Sequence, residues 1–238
     1  MSSHKILLFA GAAAFVSSAA LAAEFQNIPI HASVVVGFHD VKAPAHQQLA
    51  GETPGLCGTR FGPELPQRDA LISWYDPSGR GYDTGGAADF TCLGSTKTKI
   101  KQVWVYGWDA PNNPDQYNVT FYKNDLSGGS DEANDSRVVC AYTGLLGAGG
   151  NGYEAHILTQ LKLPAPCKLG PGKYWVSVQD NDADGPWYWE MTPQLSGTRG
   201  DWVDRQNAFG TGCTTLDNDR YLVDCLGYPY PDYMLELH

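Results

Sequence analysis

Short runs of alternating apolar and polar residues fill the chain after residue 86, and Gly and Pro punctuate them. In IKQVWVYGW (100–108), Val103 and Val105 fall on one face and Trp104, Tyr106 and Trp108 on the other. Further strands are predicted at QYNVTFYKN (116–124), SRVVCAYTG (136–144), EAHILTQLKL (154–163), GKYWVSVQ (172–179), PWYWEM (186–191) and DYMLELH (232–238). Earlier candidates are HASVVVGF (31–38) and DALISWYD (69–76). Helical periodicity is nearly absent. Evenly spaced short strands predict an all-β fold, an antiparallel β-sandwich of jelly-roll-like form.

The first residues break this pattern. Lys5 precedes an apolar run from Ile6 to Val16, and Ala20-Leu21-Ala22 offers a small-x-small cleavage pattern. Residues 1–22 are therefore expected to be a signal peptide. No later stretch of about 18 apolar residues follows, so no transmembrane segment is expected after cleavage. The expected location is secreted, extracellular or periplasmic. Residues 23–85 carry Pro44, Pro54, Pro63, Pro66 and Pro77 and few apolar runs. They predict an irregular lead-in to a β-sandwich domain over 86–238.

Export changes the meaning of the cysteines. Cys57, Cys92, Cys140, Cys167, Cys213 and Cys225 all follow the signal, and no C-x-x-C pair occurs. An even count in an exported chain predicts three disulfides. Many connectivities are open; pairing of sequence neighbours is the expectation, with Cys57–Cys92 pinning the lead-in.

Charge narrows the partners. Sixteen basic and 26 acidic residues give a net charge of −10. Nucleic-acid binding requires a basic face, so this balance argues against it.

Two stretches offer chemistry. Asp180, Asp182, Asp184 and Gly185 spell D-x-D-x-D-G, as calcium loops begin. The strand flanks, and a Glu at 190 rather than 191, exclude a helix-loop-helix calcium hand. Calcium on a hairpin loop is one expectation; a plain Asn/Asp/Gly turn is the other. The second feature is aromatic. Trp187 and Trp189 share a strand face with Tyr188 opposite, and with Trp108 and Trp202 they could present rings to a sugar. The competing expectation is that these aromatics fill the core. The acidic stretch DLSGGSDEAND (125–135) predicts a solvated surface loop, and Glu154, Glu190 and Glu236 are expected to face solvent.

The order ADF (88–90), IKQVWVYGW, NVTFYKN, LGPGKYWVSVQ, WYWEM, FGTGC (209–213) and a final strand opening with Pro231-Asp232 resembles a β-sandwich module of exported bacterial proteins. The resemblance spans about residues 86–238 and implies fold and compartment. No activity is established for that group, so it implies no catalytic residue.

The function expected from these features is a secreted, non-catalytic module that binds carbohydrate or another cell-surface component through exposed aromatics and Asp/Asn side chains. The alternatives are a structural or adhesive envelope protein working through protein contacts, and a polysaccharide hydrolase or lyase. No catalytic residue is assigned, because no G-x-S-x-G elbow or metal-ligand spacing is present.

Overall fold

In the computed structural model, residues 35–39, 57, 67–77, 79, 81–108, 116–127, 131–148, 157–181, 186–192, 197–216, 222–227 and 232–238 are described. The expected signal segment, residues 1–22, lies outside them.

The described residues form β1 (Val35–His39), β2 (Gln67–Ile72), β3 (Thr84–Cys92), β4 (Thr98–Trp108), β5 (Gln116–Lys123) and β6 (Val138–Ala148). There follow β7 (Ile157–Leu169), β8 (Gly172–Asp180), β9 (Tyr188–Thr192), β10 (Asp201–Asp204), β11 (Asp232–Tyr233) and β12 (Leu235–Leu237). One short helix, α1 (Leu222–Leu226), interrupts them. The fold is all-β, as the alternation predicts, and every strand pair is antiparallel.

The strands run β1-β2-β9-β4-β7-β6-β5-β8-β3-β10, with β11 on β9 and β12 on β4. β6 joins the two halves of this path by pairing with β7 only at Gly147 and Ala148. The sheet curls, and residues after β2 close it. Ser73 donates its N–H to Trp187 O (3.0 Å) and accepts from Asp180 N–H (3.0 Å). Trp74 and Thr84 exchange backbone bonds, at 3.0 and 2.8 Å.

One core fills the curl. Leu71, Val103, Val105, Leu161, Trp189 and Leu235 from one half meet Ala88, Phe90, Val119, Phe121, Val176 and Val178 from the other. In β4, Val103 and Val105 are buried on the inner side, as period-two alternation requires. A second, smaller cluster lies on the opposite face of the β5-β8-β3-β10 half: Ala87, Tyr122, Ala133, Trp175, Val203 and Leu216.

The expected lead-in contains part of this sheet. β2 pairs with β9 through Ala70, Leu71 and Ile72, and Ala70, Leu71, Ile72 and Trp74 are buried. Apolar residues in DALISWYD outweigh the surrounding prolines, because Leu71 and Trp74 bury more surface than a loop could shield.

All three disulfides join sequence neighbours: Cys57–Cys92, Cys140–Cys167 and Cys213–Cys225. The first ties Cys57 to the end of β3. The second bridges β6 and β7 where their backbones have separated. The third holds α1 against the segment after β10. Among the described residues, no helix is long and apolar enough to cross a membrane.

Candidate functional site

The tryptophans decide which face can hold a ligand. Trp187, Trp189 and Trp202 are 1%, 0% and 0% exposed. The expectation that they meet a ligand at the surface is corrected: all three are core. Trp187 and Trp189 do share a face, but it is the inner one. Gly107 leaves a slot into which the Trp187 indole fits, and Tyr117 meets that indole edge-on at 5.6 Å. Trp189 stacks on Tyr233 at 4.6 Å between ring centroids. The indole N–H groups also find partners inside: Trp189 Nε1 donates to Met234 O (2.8 Å) and Trp202 Nε1 to Ile72 O (3.0 Å). With its polar atom satisfied, a tryptophan gains from full burial.

Trp108 differs. It is only partly buried and lies on the outer face of β4 with Tyr106 and Trp104. Across the ladder it pairs with Tyr188, at 5.2 Å between rings. Burial pushes the Tyr188 phenol up to about 12, so its hydroxyl stays protonated in ordinary solution.

Polar groups flank this aromatic row. Register places Glu236 beside Trp104 on one side and Gln160 on the other. Trp104 Nε1 donates to Gln102 Oε1 (2.8 Å), and its ring lies 4.1 Å from the His238 ring. His238 Nε2 is 2.7 Å from Glu236 Oε2. Tyr106 and Trp108 with Gln102, Gln160 and His238 thus form a partly exposed aromatic and polar surface, with the buried Trp104 and Glu236 beneath it. Such a surface can stack on the C–H face of a sugar ring and bond its hydroxyls.

Two glutamates expected in solvent are not there. Glu190 is 2% exposed and Glu236 5%. Both sit within ladders, where neighbouring strands and rings cover them, Glu236 beside Trp104. Glu154 lies outside the described residues.

Of the aspartate triplet, Asp180 is described and Asp182 and Asp184 lie outside the described residues. Asp180 ends β8 and is buried. Its backbone is fixed on both sides, donating to Ser73 O and accepting from Tyr75 N–H at 2.7 Å. The next residue, Asn181, donates Nδ2 to Asn118 Oδ1 (3.1 Å). Among the described residues, no group of three His, Cys, Asp or Glu side chains is arranged to hold a metal.

The acidic stretch 125–135 is also corrected. Asp125 and Glu132 are buried and pair through their backbones, so the described arms, 125–127 and 131–135, pack on the protein at these residues, while Leu126 and Ser127 stay exposed. Cations and N–H groups explain it. Arg137 lies 2.9 Å from Asp125, Lys173 lies 2.8 Å from Asp131, and Arg205 grips Asp135 through two bonds of 2.7 and 2.9 Å. Sequence spacing does not show that these three basic residues converge.

Comparison with protein-family models, curated proteins and solved structures finds no match for this chain.

Proposed function

We propose that the chain is an exported, non-catalytic binding module, built on a jelly-roll-like sandwich, with carbohydrate as its ligand. The observation that carries this reading is the outer face of β4, where partly exposed Trp108 and Tyr106 stand among Gln102 and Gln160. The sugar would stack there, not on the core indoles of Trp187, Trp189 and Trp202. The three disulfides support an oxidising compartment.

A second reading, a structural or adhesive role through protein contacts, has its own observation. β6 leaves its edge open from 138 to 146 among the described residues and exposes Val138, Val139 and Leu146. Open edges with apolar side chains invite strand pairing with another chain.

One binding panel separates the two. A glycan array and an immobilised cell-envelope preparation are probed with wild type, Trp108→Ala, and Val139→Lys/Leu146→Lys. The carbohydrate reading expects Trp108→Ala to lose about tenfold or more in glycan affinity, roughly 1.4 kcal/mol, while the lysine variant binds normally. Loss confined to the lysine variant, on the envelope preparation, would establish the second reading instead. Wild type binding neither surface overturns both.

Calcium is the ion that the D-x-D-x-D-G loop would take, with Asp180, Asp182 and Asp184 as carboxylate donors. A bound ion is expected to raise the thermal midpoint in calcium over that in chelator, and Asp184→Asn to erase the difference. Equal midpoints in wild type leave the loop a plain turn.

A further inference from the structure

The paired arms 124–127 and 131–137, here the hairpin, lie over the outer face of the β5-β8-β3-β10 half and cover its small apolar cluster through Ala133. Four contacts hold it down. Trp175 Nε1 donates to Asn124 Oδ1 (2.7 Å), and Ala133 N–H donates to Asp201 Oδ2 (2.8 Å). Lys173 reaches Asp131 and Arg205 reaches Asp135.

Beneath the hairpin, four acids meet in a space from which water is excluded. Asp201 on β10, Asp89 on β3 and Glu132 on the hairpin are each 1% exposed, and Asp232 on β11 is 0% exposed. Lys173 on β8 pairs with Asp89 at 3.0 Å. Tyr233 from β11 donates its hydroxyl to the Asp201 backbone carbonyl (3.3 Å). Asp201 Oδ1 has no hydrogen-bond partner among the described residues. Ionising every carboxyl here would place like charges together in a low dielectric, which is costly.

We propose that this hairpin is a pH-dependent clasp, seated on the sheet in mildly acidic solution and released as the pH rises. Asp201 is the titrating group. Burial drives its carboxyl well above the ordinary range; the Ala133 N–H pulls it down, and Glu132, Asp89 and Asp232 push it up. Releasing the clasp exposes Asp201 to water and takes Glu132 away, so its value falls toward the ordinary range of about 3.9. Between that value and the raised one, the seated form holds one more proton than the released form. Seating therefore weakens as pH rises through this window.

One acid of the segment titrates in the opposite sense and sets the acid limit. The Lys173 bond holds Asp131 low, with Asn124 and Thr198 adding to it. Its contribution is present above about pH 4 and is lost as pH falls below it. Asp125 is also held low, but by Ser127, Asn134 and Arg137 of the same segment, which move with it.

The test is hydrogen exchange of the full chain from about pH 5 to about pH 8, corrected for intrinsic exchange. The Ala133 amide, which donates to Asp201, is expected to lose protection by up to about tenfold per pH unit, the limit for one linked proton. The Val119 amide, in central β5, should stay level. Asp201→Asn keeps an oxygen for the Ala133 N–H but removes the titration, and should flatten the Ala133 profile. If that variant does not fold, Glu132→Gln serves, because removing one repelling charge lowers the raised Asp201 value, so the loss should level off at lower pH. A level wild-type profile at Ala133 overturns the proposal. So does an Asp201→Asn profile with the wild-type slope, or a Glu132→Gln profile that does not move.

Discussion

Trp189→Ala is expected to lower stability by about 3–5 kcal/mol, the range for emptying a buried large aromatic site. The side chain is fully buried, and three separate losses follow its removal. The first is the indole's apolar contact with Leu71, Val105 and the rest of the core. The second is the 4.6 Å stack on Tyr233, a ring itself wedged so tightly that a Cβ on Gly86 or Gly200 would lie 2.6 or 2.9 Å from it. The third is the hydrogen bond to Met234 O, whose loss strands a carbonyl at the bend between β11 and β12. Collapse cannot repair the cavity, because backbone ladders to β2, β4 and β11 hold β9 in place. Domains of this kind are stable by about 5–15 kcal/mol, so this loss takes a large share. Urea unfolding of wild type, Trp189→Ala and Trp108→Ala measures it. The midpoint should fall sharply for Trp189→Ala and less than half as far for Trp108→Ala. Equal shifts would mean that Trp189 is not the anchor described here.

The contrast between these two tryptophans shows what a linear sequence can reveal. Alternation assigns the two faces of β4 and β9 correctly: Val103 and Val105 are inside, and Trp187 and Trp189 lie opposite Tyr188. It does not say which face of β9 points inward. That depends on Gly107, on a different strand, which vacates the space that the Trp187 indole fills. β3 is hard to foresee for a related reason. Its sequence, TGGAADFTC, has small residues with low strand propensity, and one of them, Gly86, is required because the Tyr233 ring lies against it. β10, DWVD, buries two aspartates that look like loop residues until Asp201 is seen to accept from Ala133, and Asp204 from Ala208 and Phe209. The aromatic and polar surface around Trp108 is half legible. Trp104, Tyr106 and Trp108 follow from period two, but Glu236 and Gln160 join them only through cross-strand register. Register depends on long-range pairing that no local pattern encodes.

Gly107→Ala should be nearly as damaging as Trp189→Ala, although it adds a single methyl group. A Cβ built on Gly107 would lie 2.2 Å from Trp187 Nε1 and 2.4 and 2.5 Å from two carbons of the same ring. Those atoms belong to a rigid indole that is 1% exposed and packed against Tyr117 and Trp189, at 5.6 and 6.0 Å. Neither the ring nor β4 can move away, because Gly107 is paired to Ile157 on one side and to Trp189 on the other. The backbone at Gly107 is not in the left-handed region, so alanine meets no conformational penalty there. The cost is steric alone, and overpacking of this severity reaches about 3 kcal/mol. Gly170→Ala is the matched control. Its nearest neighbour would be the Tyr174 hydroxyl at 3.8 Å, an ordinary contact, so its midpoint should stay within about 0.5 kcal/mol of wild type. Trp187→Phe supplies the second arm. A smaller ring loosens the slot, so Gly107→Ala should cost at least about 1 kcal/mol less on the Trp187→Phe background than on wild type. Additive losses in that double-mutant cycle would show that the two residues do not meet, and that the indole occupies some other part of the core.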